Sequence, residues 1–137
     1  MAYTAVNKSS SFMNAKTFVG NASNQAITGI GFNPDFVFTK SRTVAYGANL
    51  YNKVRGVGKF FNGITTGAEG SSTAKIASFD ADGFKVGENA RTNGNNDTFI
   101  YMAFADKREF AYNLDQSGNN NDWTSVGLTE SDIMVDS

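Results

Sequence analysis

Two glycine-containing segments of this chain resemble parts of ligand-binding loops. DADG, residues 80–83, resembles a calcium loop, and RGVGK, residues 55–59, resembles a phosphate loop. A helix–loop–helix calcium site needs an oxygen-bearing residue at position five, and a phosphate loop needs a hydroxyl directly after its Lys. Phe84 and Phe60 occupy those two positions. Both segments are therefore predicted to be turns between strands, and neither is predicted to hold a metal or a cofactor.

Pairs of carboxylates are a second source of chemistry, because two of them can flank a glycosidic bond. Asp80 and Asp82 form one such pair, and Glu88 and Asp97 form another. The sequence supplies no aromatic cleft around either pair. The chain has 13 Asp and Glu residues and no His or Cys, which removes the commonest general base, metal ligand and thiol nucleophile. We therefore expect a protein that is not an enzyme.

The segment SGNNNDW, residues 117–123, has two interpretations. Asn121, Asp122 and Trp123 could bind a glycan, with the indole stacking on a sugar and the polar groups bonding its hydroxyls. Alternatively, Asn and Asp build a tight turn and the Trp pins the tail, which is the favoured interpretation. Asn95 and Asp97, in the polar segment 88–97, are further candidate contacts for a glycan or for an interface.

Composition excludes several classes of partner. The net charge is −1, from 12 basic and 13 acidic residues, and no basic stripe suggests nucleic-acid binding. We see no signal peptide and no apolar run of about 20 residues that could cross a bilayer. The sequence therefore predicts synthesis in the cytoplasm, with no membrane or nucleic-acid partner.

Residue usage indicates an all-β fold. Phe occurs 12 times and Gly 14 times, and short apolar segments alternate with turn clusters. In GFNPDFVFTKSR, residues 31–42, Pro34 marks the entry to a core strand. Phe36 and Phe38 are expected on its buried face, with Val37 and its alternate neighbours on the opposite face. The segment is therefore framework rather than a ligand loop.

Two further segments define the predicted architecture, an antiparallel β-sandwich of the jelly-roll or lectin-like kind. AKIASFDADGFKVG, residues 74–87, is predicted to be a hairpin. TFIYMAFA, residues 98–105, is apolar on both faces and is expected in the middle of a sheet. QAITGIGF, residues 25–32, and REFAYNL, residues 108–114, are weaker strand candidates, and residues 64–73 are predicted to be loop.

The chain is divided into three parts. Residues 1–14 are an N-terminal arm, residues 15–114 the β-sandwich, and residues 115–137 a C-terminal segment that wraps the same domain. The arm carries apolar side chains that could become ordered when it docks on a partner. These candidate docking residues are Tyr3, Val6 and Phe12.

The order of five motifs in this chain resembles a domain that recurs in structural, tail and fibre proteins of tailed bacteriophages, notably marine and cyanobacterial ones. The motifs are GFNPDFVFTKSR, VRGVGKFFN, SFDADGFKVG, NGNNDTFIYMAFA and SGNNNDWT, and they extend from about residue 15 to the end. In that family Trp often stands where this chain has Phe38, and a Trp-bearing strand often replaces YMAF. The resemblance implies a lectin-like β-sandwich and a virion component, without catalytic residues.

From the resemblance and the size of the chain we expect a capsid decoration, or cement, protein on the surface of the virion. It would bind the outer surface of the major capsid protein lattice and stabilise the head. A homotrimer at threefold positions is expected, because a strand that is apolar on both faces can bury its spare face against other copies. The alternative is a tail or fibre module that binds a host-surface glycan.

Overall fold

A computed structural model of the chain describes residues 9–106, which lie within the compact unit Val6–Asp106. These residues form two antiparallel sheets with very little helix, which confirms the all-β, sandwich-like fold. The strands are β1 (Met13–Val19), β2 (Gln25–Ile27), β3 (Phe36–Ser41), β4 (Asn49–Asn52), β5 (Lys59–Asn62), β6 (Gly70–Ser71), β7 (Ile76–Asp80), β8 (Gly83–Val86) and β9 (Thr98–Phe104). The helical elements described are α1 (Ala90–Asn93) and 3-10 turns at Ser9–Ser11 and Lys53–Arg55.

The larger sheet has six strands in the order β1-β9-β3-β4-β5-β6, and the smaller sheet has three in the order β2-β8-β7. β9 pairs with β1 on one side, where Phe104 faces Met13, and with β3 on the other, where Phe104 faces Phe36. The prediction that residues 98–105 form a mid-sheet strand is therefore confirmed.

The core lies between the two sheets. Phe84 of the three-stranded sheet meets Tyr101 of the six-stranded sheet edge-on, with ring centroids 5.4 Å apart. Phe99 is fully buried and stacks on Phe18 of β1 at 5.3 Å. Such ring pairs add to the free energy of burial, so they hold β1, β8 and β9 together.

The predicted hairpin is confirmed, since β7 and β8 pair with Asp80 opposite Gly83. At the turn, the carboxylate of Asp82 accepts hydrogen bonds from the backbone amides of Gly31 at 2.7 Å and Gly29 at 3.0 Å. Both glycines have positive φ, +92° and +76°, which a residue with a Cβ rarely adopts. This bent loop explains why β2 ends at Ile27 instead of continuing through the predicted strand 25–32.

The prediction for the faces of β3 is wrong. Pro34 does precede the strand, but Val37 and Thr39 are the buried residues, whereas Phe36 and Phe38 are half-buried on the opposite face. Residues 31–42 are framework, as expected, but of their phenylalanines only Phe32, ahead of the strand, is buried in the core, and Phe36 and Phe38 are not.

The reason lies in the neighbouring strands. Val37 faces Tyr51 of β4, and Thr39 faces Tyr101 of β9, and both of these tyrosines are buried. Sheets pack about 10 Å apart, so the two large rings leave room only for small side chains on β3 between them.

Two predicted loops contain short regular elements. β6 lies in the predicted loop 64–73, and α1 lies in the polar segment 88–97, where the side chain of Asn89 accepts a hydrogen bond from the amide of Arg91 at the helix start. RGVGK is a turn between β4 and β5, as predicted. The predicted strand 108–114 and the wrapping segment 115–137 lie outside the described residues.

Candidate interaction surface

The six-stranded sheet has one face in the core and one face turned away from the three-stranded sheet, which we call the outer face. Because side chains alternate along a strand, the register between neighbouring strands identifies its members. They are Met13, Ala15, Thr17 and Val19 of β1; Ile100, Met102 and Phe104 of β9; Phe36, Phe38 and Lys40 of β3; Leu50 and Asn52 of β4; and Lys59 and Phe61 of β5.

The outer face is apolar and partly open to solvent. Met13 is 45% exposed, Val19 55%, Phe61 42% and Met102 37%. The half-buried aromatic and aliphatic side chains of β3, β4 and β9 lie between them. Single exposed apolar residues are ordinary, but a contiguous group on one sheet face is characteristic of an interaction site.

Charge is confined to the margins of this face. The Lys40 ammonium donates to the backbone carbonyl of Tyr46 at 2.6 Å. At the β5 end, the Arg55 guanidinium lies 4.3 Å from the centre of the Phe61 ring and forms a 2.8 Å ion pair with Glu69. These contacts give Lys40, Arg55 and Glu69 partners within the chain, which lowers the cost of burying them against a partner.

A shallow hollow of about 360 Å³ continues the outer face at the end of β9. The rings of Phe36 and Phe104, 5.9 Å apart, form part of its wall. Asp35 and Asn52 provide polar groups, and the Asp35 carboxylate accepts a hydrogen bond from the Asp106 amide at 2.7 Å. An apolar wall with polar groups beside it could hold a side chain of a partner or a small ligand.

The predicted docking residue Phe12 lies at this same end of the sheet. It is half-buried, and its carbonyl accepts a hydrogen bond from the amide of Ala105 at 2.8 Å. β1 begins directly after it, at Met13. Phe12 is therefore joined to the sheet, and the other two predicted docking residues, Tyr3 and Val6, lie outside the described residues.

The other predicted contacts are not brought together with Phe12. Asn95 is exposed, and the Asp97 carboxylate accepts a hydrogen bond from the Thr43 hydroxyl at 3.3 Å. Asn95 and Asp97 lie before the start of β9, whereas Phe12 lies beside the end of β9. The strand is about 20 Å long, so the two groups are far apart. Asp97 therefore fastens a loop. Three further predicted contacts lie outside the described residues, namely Asn121, Asp122 and Trp123.

Within residues 9–106 no group of three or more His, Cys, Asp or Glu residues is placed to hold a metal ion. The same range contains no helix long and apolar enough to cross a membrane. Of the paired carboxylates, Asp82 has both oxygens occupied by the amides of Gly31 and Gly29, which lowers its pKa. The carboxylate therefore serves as a fixed acceptor in the fold.

Lys75 is a buried cation that the sequence does not reveal. It is only 6% exposed, its ammonium donates to the side-chain oxygen of Asn49 at 2.7 Å, and it lies 3.5 Å from the centre of the Phe60 ring. Burial, assisted by the positive charge of Arg91, lowers the pKa of Lys75 to about 8. The amine fills a polar gap in the core and is closed off from larger ligands.

Sequence reasoning identified the spare apolar face of residues 98–105 but missed its extension across the neighbouring strands. Its signal was present in β9, where Ile100 and Met102 alternate with Phe99 and Tyr101. Assigning the phenylalanines of β3 to the core concealed the continuation of this apolar surface onto the next strand. The register of β3 against β9, which fixes that continuation, cannot be read from one sequence.

The model of the family described as "Domain of unknown function (DUF7483)" matches residues 8–126, which is most of the chain. The chain belongs to this family. No curated protein and no solved structure matches it.

Proposed function

We propose that this member of the DUF7483 family is a structural protein of a bacteriophage virion, and specifically a capsid decoration protein. It would bind the outer surface of the major capsid protein lattice and stabilise the head. On the shell it would form a homotrimer at threefold positions. The resemblance of its five ordered motifs to phage structural proteins supports the virion assignment.

The observation that carries the proposal is the apolar outer face. Met102 lies on this face between Ala15 of β1 and Phe38 of β3, and is 37% exposed. Transferring a large apolar side chain from water into an interface contributes roughly 1.5–3 kcal/mol. A sheet face that has several such side chains, and whose charged groups lie at its margins, supports binding to a protein lattice rather than a catalytic function.

We propose no catalytic role, because the chain lacks His and Cys and the carboxylates of Asp35, Glu69, Asp82 and Asp97 form bonds within the fold. Decoration requires binding energy alone. Each copy adds contacts between subunits of the shell, and many copies together would resist the outward pressure of packaged DNA. A broad apolar surface suits this role, since it excludes water over a wide area without requiring a specific small ligand.

The test is binding of the purified protein to capsids that lack it, measured by co-sedimentation. Met102→Asp places a charge among the apolar side chains of the outer face, so we expect roughly a ten- to hundredfold loss of affinity. The residue is partly exposed and lies outside the core, so the variant should retain its β-sheet circular dichroism.

Ile64→Asp is the matched control, because Ile64 is 70% exposed and does not belong to the outer face. It should bind capsids as the unaltered protein does. If Met102→Asp bound equally well, the outer face would not be the docking surface.

One observation favours the alternative, a tail or fibre module that binds a host-surface glycan. The hollow beside Phe36 and Phe104 combines aromatic rings with the polar groups of Asp35 and Asn52. Aromatic rings and hydrogen-bonding groups are what a sugar requires. A glycan array decides: specific binding that Phe36→Ala or Trp123→Ala abolishes would favour this function, and absence of specific binding would disfavour it.

A further inference from the structure

Among the described residues, β1 is the outermost strand of the six-stranded sheet, and its outward edge has a definite hydrogen-bonding pattern. The amide of Gly20 donates to Asp97 and the carbonyl of Phe12 accepts from Ala105, so the even-numbered residues along β1 bond to β9. In an antiparallel pair the bonding residues alternate. The amides and carbonyls of the odd-numbered residues therefore point away from the sheet.

This edge carries few of the devices that prevent strands from pairing, and its one charged side chain, Lys16, projects from the face opposite the outer face. β1 has seven residues and no proline, and the described structure gives it no bulge against β9. The side chains beside the outward groups, on Met13, Ala15 and Thr17, are uncharged and exposed. Proteins commonly protect an edge with Pro, with a bulge, or with charges. An edge of this kind is a template for another strand.

We propose that two copies of this chain pair along β1, antiparallel and about a twofold axis at Ala15. The two six-stranded sheets would then join into one twelve-stranded sheet. This contact goes beyond the proposed binding to the shell, because it requires no partner other than a second copy.

The register follows from the groups that are already occupied. The carbonyl of Val19 accepts a hydrogen bond from the side chain of Gln25 at 3.1 Å. A pair centred on Thr17 would need that carbonyl. A pair centred on Ala15 uses only Met13, Ala15 and Thr17, so every existing bond is kept.

Charge favours the same register. Lys16 is the only charged residue of β1, and it projects from the face opposite the outer face. In a pair centred on Lys16 the two ammonium groups would lie opposite each other, which is unfavourable. In the pair centred on Ala15, each Lys16 lies opposite Asn14 of the second copy.

The pairing also extends the outer face. Met13 and Ala15 border the paired edge and adjoin Phe104 and Met102 in their own copy. Two outer faces would therefore meet side by side and form one apolar surface of about twice the width. Twofold axes relate neighbouring threefold positions of an icosahedral lattice, so this contact is compatible with trimers on the shell.

The test uses the absence of cysteine from the chain. Ala15→Cys introduces a single thiol, and residues that face each other in a hydrogen-bonded antiparallel pair have Cα atoms about 5.5 Å apart, within the range of a disulfide. Mild oxidation of the purified full chain should give about tenfold more disulfide-linked dimer than either control variant.

The controls are Thr17→Cys and Ile64→Cys. In the proposed register the two Thr17 residues are offset by about 13 Å along the strands, beyond disulfide reach. Ile64 is exposed but remote from β1 in the sheet order. Equal crosslinking of all three variants, crosslinking through Thr17 alone, or no crosslinking would overturn the proposal.

A second measurement does not depend on oxidation. Ala15→Lys places two ammonium groups opposite each other at the twofold axis, so dimer should be lost in analytical ultracentrifugation while the β-sheet circular dichroism is retained. If Ala15→Lys self-associates as the unaltered protein does, the pairing is wrong. Capsid binding of the monomeric variant is scored separately, so the proposed function can fail or hold independently.

Discussion

The two faces of the six-stranded sheet differ in a way that reverses the usual expectation. The inner face is buried but mixes aromatic rings with polar groups such as Thr39 and Asn49, and the ammonium of Lys75, which precedes β7, packs against it. The outer face is more uniformly apolar and yet carries exposed side chains such as Phe61 and Met102. Apolar character alone therefore does not locate the core of this protein. The apolar residues that lie outside the core are the better indication of where this protein binds a partner.

Alternation along β9 makes the contrast direct. Phe99, Tyr101 and Ala103 point inward and are buried, whereas Ile100 and Met102 point outward and are not fully covered. The inward side chains of β9 therefore stabilise the fold, and its outward side chains form part of the outer face. Substitutions on the two faces should therefore affect stability and surface binding separately.

The largest effect is expected from Phe99→Ala on the inner face. Phe99 is fully buried and stacks on Phe18, so its removal leaves a cavity and should lower the free energy of unfolding by about 3–5 kcal/mol. Urea denaturation, followed by the far-UV circular dichroism of the β-sheets, measures this change in the free energy of unfolding. A loss below about 1 kcal/mol would show that the inner face is not the stabilising core.

The next effect concerns Lys75 and depends on pH. Its pKa is about 8 in the folded chain instead of 10.5, so between these values the folded state binds fewer protons than the unfolded state. Stability should therefore rise with pH, by about 2 kcal/mol from pH 8 to pH 10. The measurement is the free energy of unfolding across that range.

Lys75→Met should remove this rise, because it keeps much of the side-chain volume without the titrating amine. Lys59→Met, on the outer face, is the matched control and should leave the rise in place. If the free energy of unfolding of Lys75→Met still rose with pH as in the unaltered protein, the pH dependence would come from other groups.

A small effect on stability is expected from Phe61→Ala on the outer face. Phe61 is 42% exposed, so the free energy of unfolding should fall by about 1 kcal/mol or less. Capsid binding should weaken in the same variant. If Phe61→Ala destabilised the chain as strongly as Phe99→Ala, the two faces would not differ in the way described.

The smallest effect is expected from Asp82→Asn, which affects neither face. Its carboxylate holds the amides of Gly29 and Gly31, and these bonds lower its pKa below the ordinary 3.8. The ionised carboxylate therefore stabilises the folded state above the ordinary pKa, and this contribution is lost as the pH falls through the lowered pKa. Asp82→Asn should melt a few degrees lower at neutral pH and should respond less to acid, with Asp80→Asn as the control.

Much of this fold could be predicted from the sequence, because local signals decide it. The DADG turn, the entry of β3 after Pro34 and the central position of β9 all follow from turn chemistry and from alternation. The face assignment of β3 failed, because β3 alternates two phenylalanines with a valine and a threonine, and hydrophobicity favours the wrong set. Only the tyrosines on the neighbouring strands determine which set fits between the sheets.

The candidate surface was less predictable than the fold. The outer face joins residues of five strands, and its continuity depends on the register between them. The burial of Lys75 depends likewise on the approach of Asn49 and Phe60, which lie on other strands. Contacts between residues distant in sequence leave no local pattern, whereas the polar segments that attracted attention, such as Asn95 to Asp97, serve as a connection.

The most direct test of the central claim is a cryo-electron microscopy reconstruction of the virion. The account predicts density for this chain that follows the icosahedral lattice in many copies, with Met102 and Phe61 of the outer face buried against the major capsid protein. A few copies confined to the tail, or a lattice-bound chain with its outer face open to solvent, would contradict it.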